Sequence, residues 1–320
     1  MPLRIDPRVD FACKKMLGSP DHPVVTIHFL NSILKLDAPI VSVEILNPLI
    51  GKDRPEAKVV VLDVLARDSL GRLFNIEMQT RLPLSFANRL LYYNCKNYTR
   101  QIFEGDGYGE LRPSISICLL SRKMFWQKPD SARWHHSFRL RCDQNVELIL
   151  TNDLEFHIIE LPKYEPSSDN IEELPPDEKW VYLFKYAAEV EPERLAELLR
   201  DPPYREAIGV LQMISQSPED LQYYEDRLKF LRDEQGKLLA AKQEGEQLGL
   251  ARGREEGREE GREQGREEGR EQGKLAGKIQ MIQELLGDAV DSDEALLSHD
   301  RDTLTALLSD LQTRLRRREA

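Results

Sequence analysis

The sequence predicts an α/β fold: a central mixed sheet flanked by helices, followed by a helical C-terminal region and a long charged helical tail. Three observations predict it. Two apolar runs, 58–68 (KVVVLDVLARD) and 72–80 (RLFNIEMQT), flank the turn-forming Ser69-Leu70-Gly71 and read as a hairpin. Helical and strand-like segments alternate around that hairpin instead of segregating. From residue 253 the chain becomes a repeat, GREEGREEGREQGREEGREQGKLAGK, with glycine at every fourth position from Gly253 to Gly277.

The elements follow in order. Residues 7–18 and 23–36 read as short helices, the second with Val24, Ile27, Leu30, Ile33 and Leu34 at helical spacing. Residues 40–46 read as a strand, then comes the hairpin. Residues 84–104 read as one helix entered after Pro83 and ended by Gly105 and Gly107. Residues 114–121, 136–141 and 154–161 read as further strands. Pro162, Pro166, Pro175 and Pro176 among acidic residues mark a linker. The expected organisation is therefore a first domain at 1–163, a Pro-rich acidic linker at 164–179, a helical region at 180–240 and a tail at 241–320. In the helical region, Trp180, Leu183, Phe184 and Ala187 suggest one helix, and Ala207, Val210, Leu211 and Ile214 another.

The tail poses an energetic problem. Each helical glycine costs about 1 kcal/mol relative to alanine, so the seven together cost on the order of 7. Glu-to-Arg pairs three apart return only about 0.2–0.5 kcal/mol each. Either the segment is a solvated linker, or it is a helix held by a partner chain against its glycine stripe. A four-residue period exceeds 3.6, so such a partner would wind right-handedly. Beyond it, Leu275, Ile279, Ile282 and Leu286, then Leu304, Leu307, Leu308, Leu311 and Leu315, form apolar stripes. These assign the tail to coiled-coil-like homo-oligomerisation or partner binding.

Composition narrows the function classes. The chain has 320 residues, 40% hydrophobic and 32% charged, enough apolar content for a core. No window approaches 18 uncharged apolar residues, so no membrane span is expected. The opening MPLRIDPRVDFACKK lacks an apolar signal region, and a cytoplasmic location is expected. The four cysteines form no CxxC pair; they read as buried reduced thiols, and a zinc site is not expected. The net charge of −11 hides an asymmetry. Residues 1–163 carry 22 Lys+Arg against 19 Asp+Glu, and residues 164–320 carry 23 against 37. The mildly basic first half permits phosphate binding.

The chemistry concentrates in the hairpin. Asp63 interrupts the apolar run Val59-Val60-Val61-Leu62-Asp63-Val64-Leu65, where a buried carboxylate needs a partner or a metal. In Asn75-Ile76-Glu77-Met78-Gln79, strand alternation puts Glu77 and Gln79 on one face. Pairing of the two runs brings Asp63 close to Glu77. Two close carboxylates repel unless a hard cation neutralises them, and Mg²⁺ suits such a pair because it keeps several waters. Equally, alternating Glu and Gln can be no more than a polar strand face. Other chemistries are excluded more simply. The tail glycines follow no strand and carry no GK[ST]. The adjacent His135 and His136 point to opposite faces, and no Ser/His/Asp order stands out.

This conjunction resembles the PD-(D/E)xK nuclease superfamily, and within it the Rpn-type recombination-promoting nucleases and transposases. The resemblance rests on Asp10-Phe11-Ala12-Cys13-Lys14-Lys15-Met16-Leu17-Gly18, Phe29-Leu30-Asn31, Leu62-Asp63-Val64 and Asn75-Ile76-Glu77-Met78-Gln79. It extends to Arg89, Tyr92, Tyr93, Tyr98 and Gln101 on the following helix. It implies a restriction-endonuclease-like core and a Mg²⁺-dependent DNA endonuclease. Asp63 and Glu77 would bind the metal, with the Met78 carbonyl as a third ligand. Most of the superfamily has lysine where this chain has Gln79. Glutamine can orient a water but brings no charge, which leaves a place for another cation. Lys14 and Arg89 are candidates for it, or are ordinary surface residues. Asp10 either joins the site or caps the first helix. Tyr93 and Gln101 either line the cleft or pack on the sheet. The rival class is a nuclease-derived DNA- or partner-binding protein without turnover. A transposase proper would also need strand transfer, and no separate sequence-reading module is visible.

Overall fold

A computed structural model describes residues 5–46, 49–50, 60–61, 63–126 and 132–319. Two units emerge, Met1–Arg232 and Asp233–Ala320. The first begins with two helices, α1 (Asp10–Leu17) and α2 (Pro23–Leu34). Strands β1 (Val43–Leu46), β2 (Leu49–Ile50), β3 (Val60–Val61), β4 (Val64–Asp68) and β5 (Leu73–Gln79) follow. Next come α3 (Phe86–Thr99), β6 (Ser114–Leu120), β7 (His135–Arg141) and β8 (Ile149–Glu160). Helices α4 (Pro176–Tyr186), α5 (Pro192–Leu198), α6 (Pro202–Gln216) and the start of α7 (Pro218–Leu286) complete it. The sheet runs β1-β4-β5-β6-β8-β7, antiparallel from β1 to β5, parallel across β5, β6 and β8, and antiparallel again at the β7 edge. The expected mixed α/β architecture is thus the one observed. β2 and β3 form a separate antiparallel pair.

The predicted hairpin is β4–β5. Its turn is fixed by Asp68, whose carboxylate accepts hydrogen bonds from the Leu70 and Arg72 amides and pairs with the Arg72 guanidinium at 2.7 Å. Gly71 closes the turn at φ +79°, a backbone conformation that favours glycine. The predicted single strand at 58–68 is instead interrupted: Asp63 sits in a bend directly before β4. Residues 58, 59 and 62 of that reading lie outside the described residues.

Strand alternation sorts the sheet into two faces. Phe74, Ile76 and Met78 join Ile115, Ile117 and Leu119 in the main core beneath α1 and α2. On the other face, Cys118, Leu120 and Ile158 pack against Phe86 and Leu90 of α3. Asn75, Glu77 and Gln79 belong to that second face. α1 approaches the first face closely at Gly18, where an added Cβ would lie 2.9 Å from Val64 Cγ2 and 2.7 Å from the Lys14 carbonyl oxygen. The Asn31 side chain pins the loop leading to β1, donating to the Ile40 carbonyl and accepting from its amide, both at 2.8 Å.

The 164–179 segment does not separate two bodies. Tyr164 and Leu174 are buried in it, and Trp180, Phe184 and Tyr204 from the following helices share the core with Phe29. The rings of Phe29 and Trp180 meet edge-on with centroids 5.5 Å apart. Of the prolines that suggested a linker, Pro176 instead starts α4, as Pro192 and Pro202 start the next two helices.

In the second unit, the C-terminal part of α7 packs on α8 (Asp293–Leu297) and α9 (Arg301–Glu319). Ala276 and Ile279 of α7 are buried with Leu296, Leu304, Leu308 and Leu311. Much of the apolar stripe expected to face a partner is therefore used within the chain. The glycine repeat is helical and exposed, and a Cβ placed on any glycine from Gly253 to Gly277 would meet nothing within 4 Å.

Two substitutions separate these roles. Gly18→Ala should lower stability by about 1–3 kcal/mol in denaturant unfolding, because the helix must shift away from β4. Gly257→Ala should instead raise helical circular dichroism and stabilise by up to about 1 kcal/mol. Loss of helicity in Gly257→Ala would mean that the stripe is packed in solution.

Candidate active site

The β4–β5 register pairs Leu65 with Asn75 and Val64 with Ile76. The ladder ends at that pair, and Asp63 stands in the bend just before β4, close enough for its charge to act on Glu77. The two residues are also joined through the backbone: Asp63 Oδ2 accepts a hydrogen bond from the Met78 amide at 2.8 Å. Glu77 is 6% exposed and lies near the carboxyl end of β5, beside the parallel strand β6. In an open α/β sheet this end of the parallel strands is where binding crevices form.

Glu77 has two unlike oxygens. Oε2 accepts from the Gln79 amide nitrogen at 3.1 Å. Oε1 is buried with no hydrogen-bond partner among the described residues. Further buried, unpartnered polar atoms belong to the side chains of Asn75, Ser116 and Asn94, on β5, β6 and α3. Ser116 stands opposite Asn75 in the sheet. Gln79 continues the chain of contacts, its amide oxygen accepting from Arg89 Nη2 at 2.5 Å.

Burial, and then the negative charge of Asp63, push the Glu77 carboxyl up to about 8, with the neighbouring Asn75 side chain, the Arg89 charge and the Asp63 backbone opposing. Burial, aided by the charge of Asp10, raises Asp63 to about 6, against the Met78 hydrogen bond and the charges of Lys14 and Arg227. Without a cation the pair is therefore partly neutralised by protons. An all-oxygen donor set of two carboxylates, one with a vacant buried oxygen, fits a hard divalent cation that completes its shell with water. Among the described residues no group of three His, Cys, Asp or Glu side chains could hold a metal.

The other expected site residues separate into near and distant. Lys14 is exposed on α1, and it reaches Asp63 through its charge alone. Asp10 is the first residue of α1 and not its cap, which is Val9. Its carboxylate is engaged by Arg227 at 2.7 Å and by the Phe11 amide at 3.0 Å. Arg227, on α7, was not legible beforehand: it lies 217 residues from Asp10 with no local motif. Tyr93 packs against Leu65, its ring below Arg89 with the guanidinium 6.0 Å from the centroid. Gln101 lies elsewhere, its side chain bracing the Arg112 backbone ahead of β6 at 2.8 and 3.1 Å. Tyr98 donates to Asp153 at 2.7 Å. His135 and His136 diverge as expected, His135 to His157 and His136 towards Glu160.

The chain matches the PD-(D/E)XK nuclease family transposases over residues 7–241, and it belongs to that family. No curated protein and no solved structure gives a significant match. No helix among the described residues is long and apolar enough to cross a membrane.

The upward shifts set a pH dependence with a definite sign. The folded chain binds more protons than the unfolded chain between about pH 4 and pH 8, so the pair stabilises at low pH. That contribution is lost as the pH rises through 6 and then 8. In chelator, the melting temperature of the native chain should fall from pH 5 to pH 9 relative to Asp63→Asn/Glu77→Gln, which mimics the protonated pair. Parallel curves for the two proteins would contradict the coupling.

Proposed function

We propose that the chain is a Mg²⁺-dependent DNA endonuclease that promotes recombination, with Asp63 and Glu77 as metal ligands and the Met78 carbonyl as a third. The observation that carries this reading is the closeness of Asp63, held by the Met78 amide, to Glu77 with its vacant Oε1, within a chain of a nuclease family. A bound Mg²⁺ would polarise the scissile phosphate and make a coordinated water more acidic. Asp63 and Glu77 give the site its cation affinity, since burial makes an uncompensated charge costly there. Asp63 is kept in place by the Met78 amide, and Glu77 by Gln79. In the hydrolysis, the water oxygen bonds to phosphorus and one ester P–O bond breaks. Its electron pair stays on the departing sugar oxygen, and the water proton ends there.

Double-strand cleavage needs two such sites, and a homo-oligomer formed through the tail supplies them. The exposed Leu238, Leu239, Leu248 and Leu250 on α7 support this assignment.

The test is nicking of supercoiled plasmid in Mg²⁺ or Mn²⁺. Asp63→Ala and Glu77→Ala should each lower the rate at least about a hundredfold, as expected when charge stabilisation of a transition state is lost. Cleavage that survives both substitutions would overturn the assignment. A native chain that binds DNA but cleaves none would establish a nuclease-derived binding protein instead.

A further inference from the structure

Hydrolysis of a phosphodiester builds negative charge on the non-bridging oxygens, and a fixed cation aimed at them lowers the barrier. Gln79 carries no charge. Lys14 is exposed, and among the described residues its ammonium has no hydrogen bond or ion pair that would fix it. Arg227 is committed to Asp10.

Arg89 is different. It is half-buried on α3, above the face that carries Glu77 and Gln79. Its guanidinium lies 5.9 Å from the Phe86 ring centroid and 6.0 Å from that of Tyr93, one helical turn to either side. Among the described residues the guanidinium makes one hydrogen bond, to Gln79 Oε1, which leaves the rest of the donor fork unused. The same Gln79 amide binds Glu77 Oε2 through nitrogen. The side chain is thus a bridge with a carboxylate at one end and a guanidinium at the other. That bridge fixes the amide orientation, because only the carbonyl end can accept from arginine and only the NH₂ end can donate to the carboxylate. A planar guanidinium with free donors is well matched to phosphate oxygens.

We propose that Arg89, held in place by Gln79, is the cation that contacts the scissile phosphate, with Gln79 acting as a positioning residue between it and Glu77. The proposal rests on the nuclease reading above and adds the identity of the phosphate-binding group. Arg89 is the catalytic residue of the couple, and Gln79 works through it.

The test is a double-mutant cycle on the full chain with Arg89→Ala, Gln79→Ala and the double variant, read by cleavage and by binding. In Mn²⁺, Arg89→Ala should lower kcat about a hundredfold with KM changed little, and Gln79→Ala should lower it at least about tenfold. The double variant should lose less than the sum of the two single losses, since Gln79 acts mainly through the arginine. Mn²⁺ affinity by calorimetry should stay within about threefold for Arg89→Ala, which separates this role from metal binding. Duplex binding in Ca²⁺ should weaken for Arg89→Ala, and the slope of log K against log salt should shrink by about one. Gln79→Lys in the Arg89→Ala background should recover at least about tenfold in kcat.

Wild-type kcat in Arg89→Ala, additive losses in the cycle, or an unchanged salt slope would overturn the proposal. If the native chain cleaves nothing, the nuclease reading fails and the couple is judged on binding alone. Matching losses of binding in Arg89→Ala, Gln79→Ala and the double variant then uphold it, and unchanged binding in Arg89→Ala overturns it.

Discussion

Two neighbouring, largely buried carboxylates, one at the entry to β4 and one on β5, are the constraint on which the rest of this structure depends. Coulomb repulsion and desolvation both act against ionising Glu77 beside Asp63. The fold accepts that cost and surrounds the pair with compensations. The Met78 amide holds Asp63, the Gln79 amide holds one oxygen of Glu77, and Arg89, Lys14 and Arg227 bring positive charge from three different helices. Protons or a divalent cation supply what these leave uncompensated. A purely structural hairpin has no use for the arrangement, since an apolar pair would stabilise the same positions without repulsion.

Backbone features converge on the same point. Gly18 lets α1 approach β4 immediately after Asp63. The Asp68 turn sets the β4–β5 register, and a slip by one residue would move Glu77 to the other face of the sheet. The parallel pairing of β5 with β6 leaves Glu77 and Gln79 near the end of the sheet, with α3 carrying Arg89 across that face.

The sheet, the hairpin and the carboxylate pair were legible in the sequence because each has a local signature. Strand alternation predicts the shared face of Glu77 and Gln79, and a lone Asp63 in an apolar run marks an acid that needs a partner or a metal. What was not legible depends on distance or on competing uses of the same residue type. Prolines at 175 and 176 look like linker residues until their position at the start of α4 is known. Asp10 matches a motif, yet its carboxylate is engaged by Arg227 from a helix that begins 208 residues later. Gln101 shares a helical motif with Arg89 but braces a loop elsewhere. The leucine stripes of the tail are real, although the choice between a partner chain and a neighbouring helix of the same chain lies outside any local pattern.

The central claim, that Asp63 and Glu77 share a divalent ion, is tested most directly by titrating the chelator-treated chain with Mn²⁺ near pH 7. The titration is run calorimetrically in two buffers of different ionisation enthalpy. The account predicts stoichiometric binding that releases protons, because a cation displaces those held by the raised carboxyls. It also predicts that Glu77→Gln removes most of both the affinity and the proton release. Binding of equal strength in Glu77→Gln, or no binding by the native chain, would contradict it.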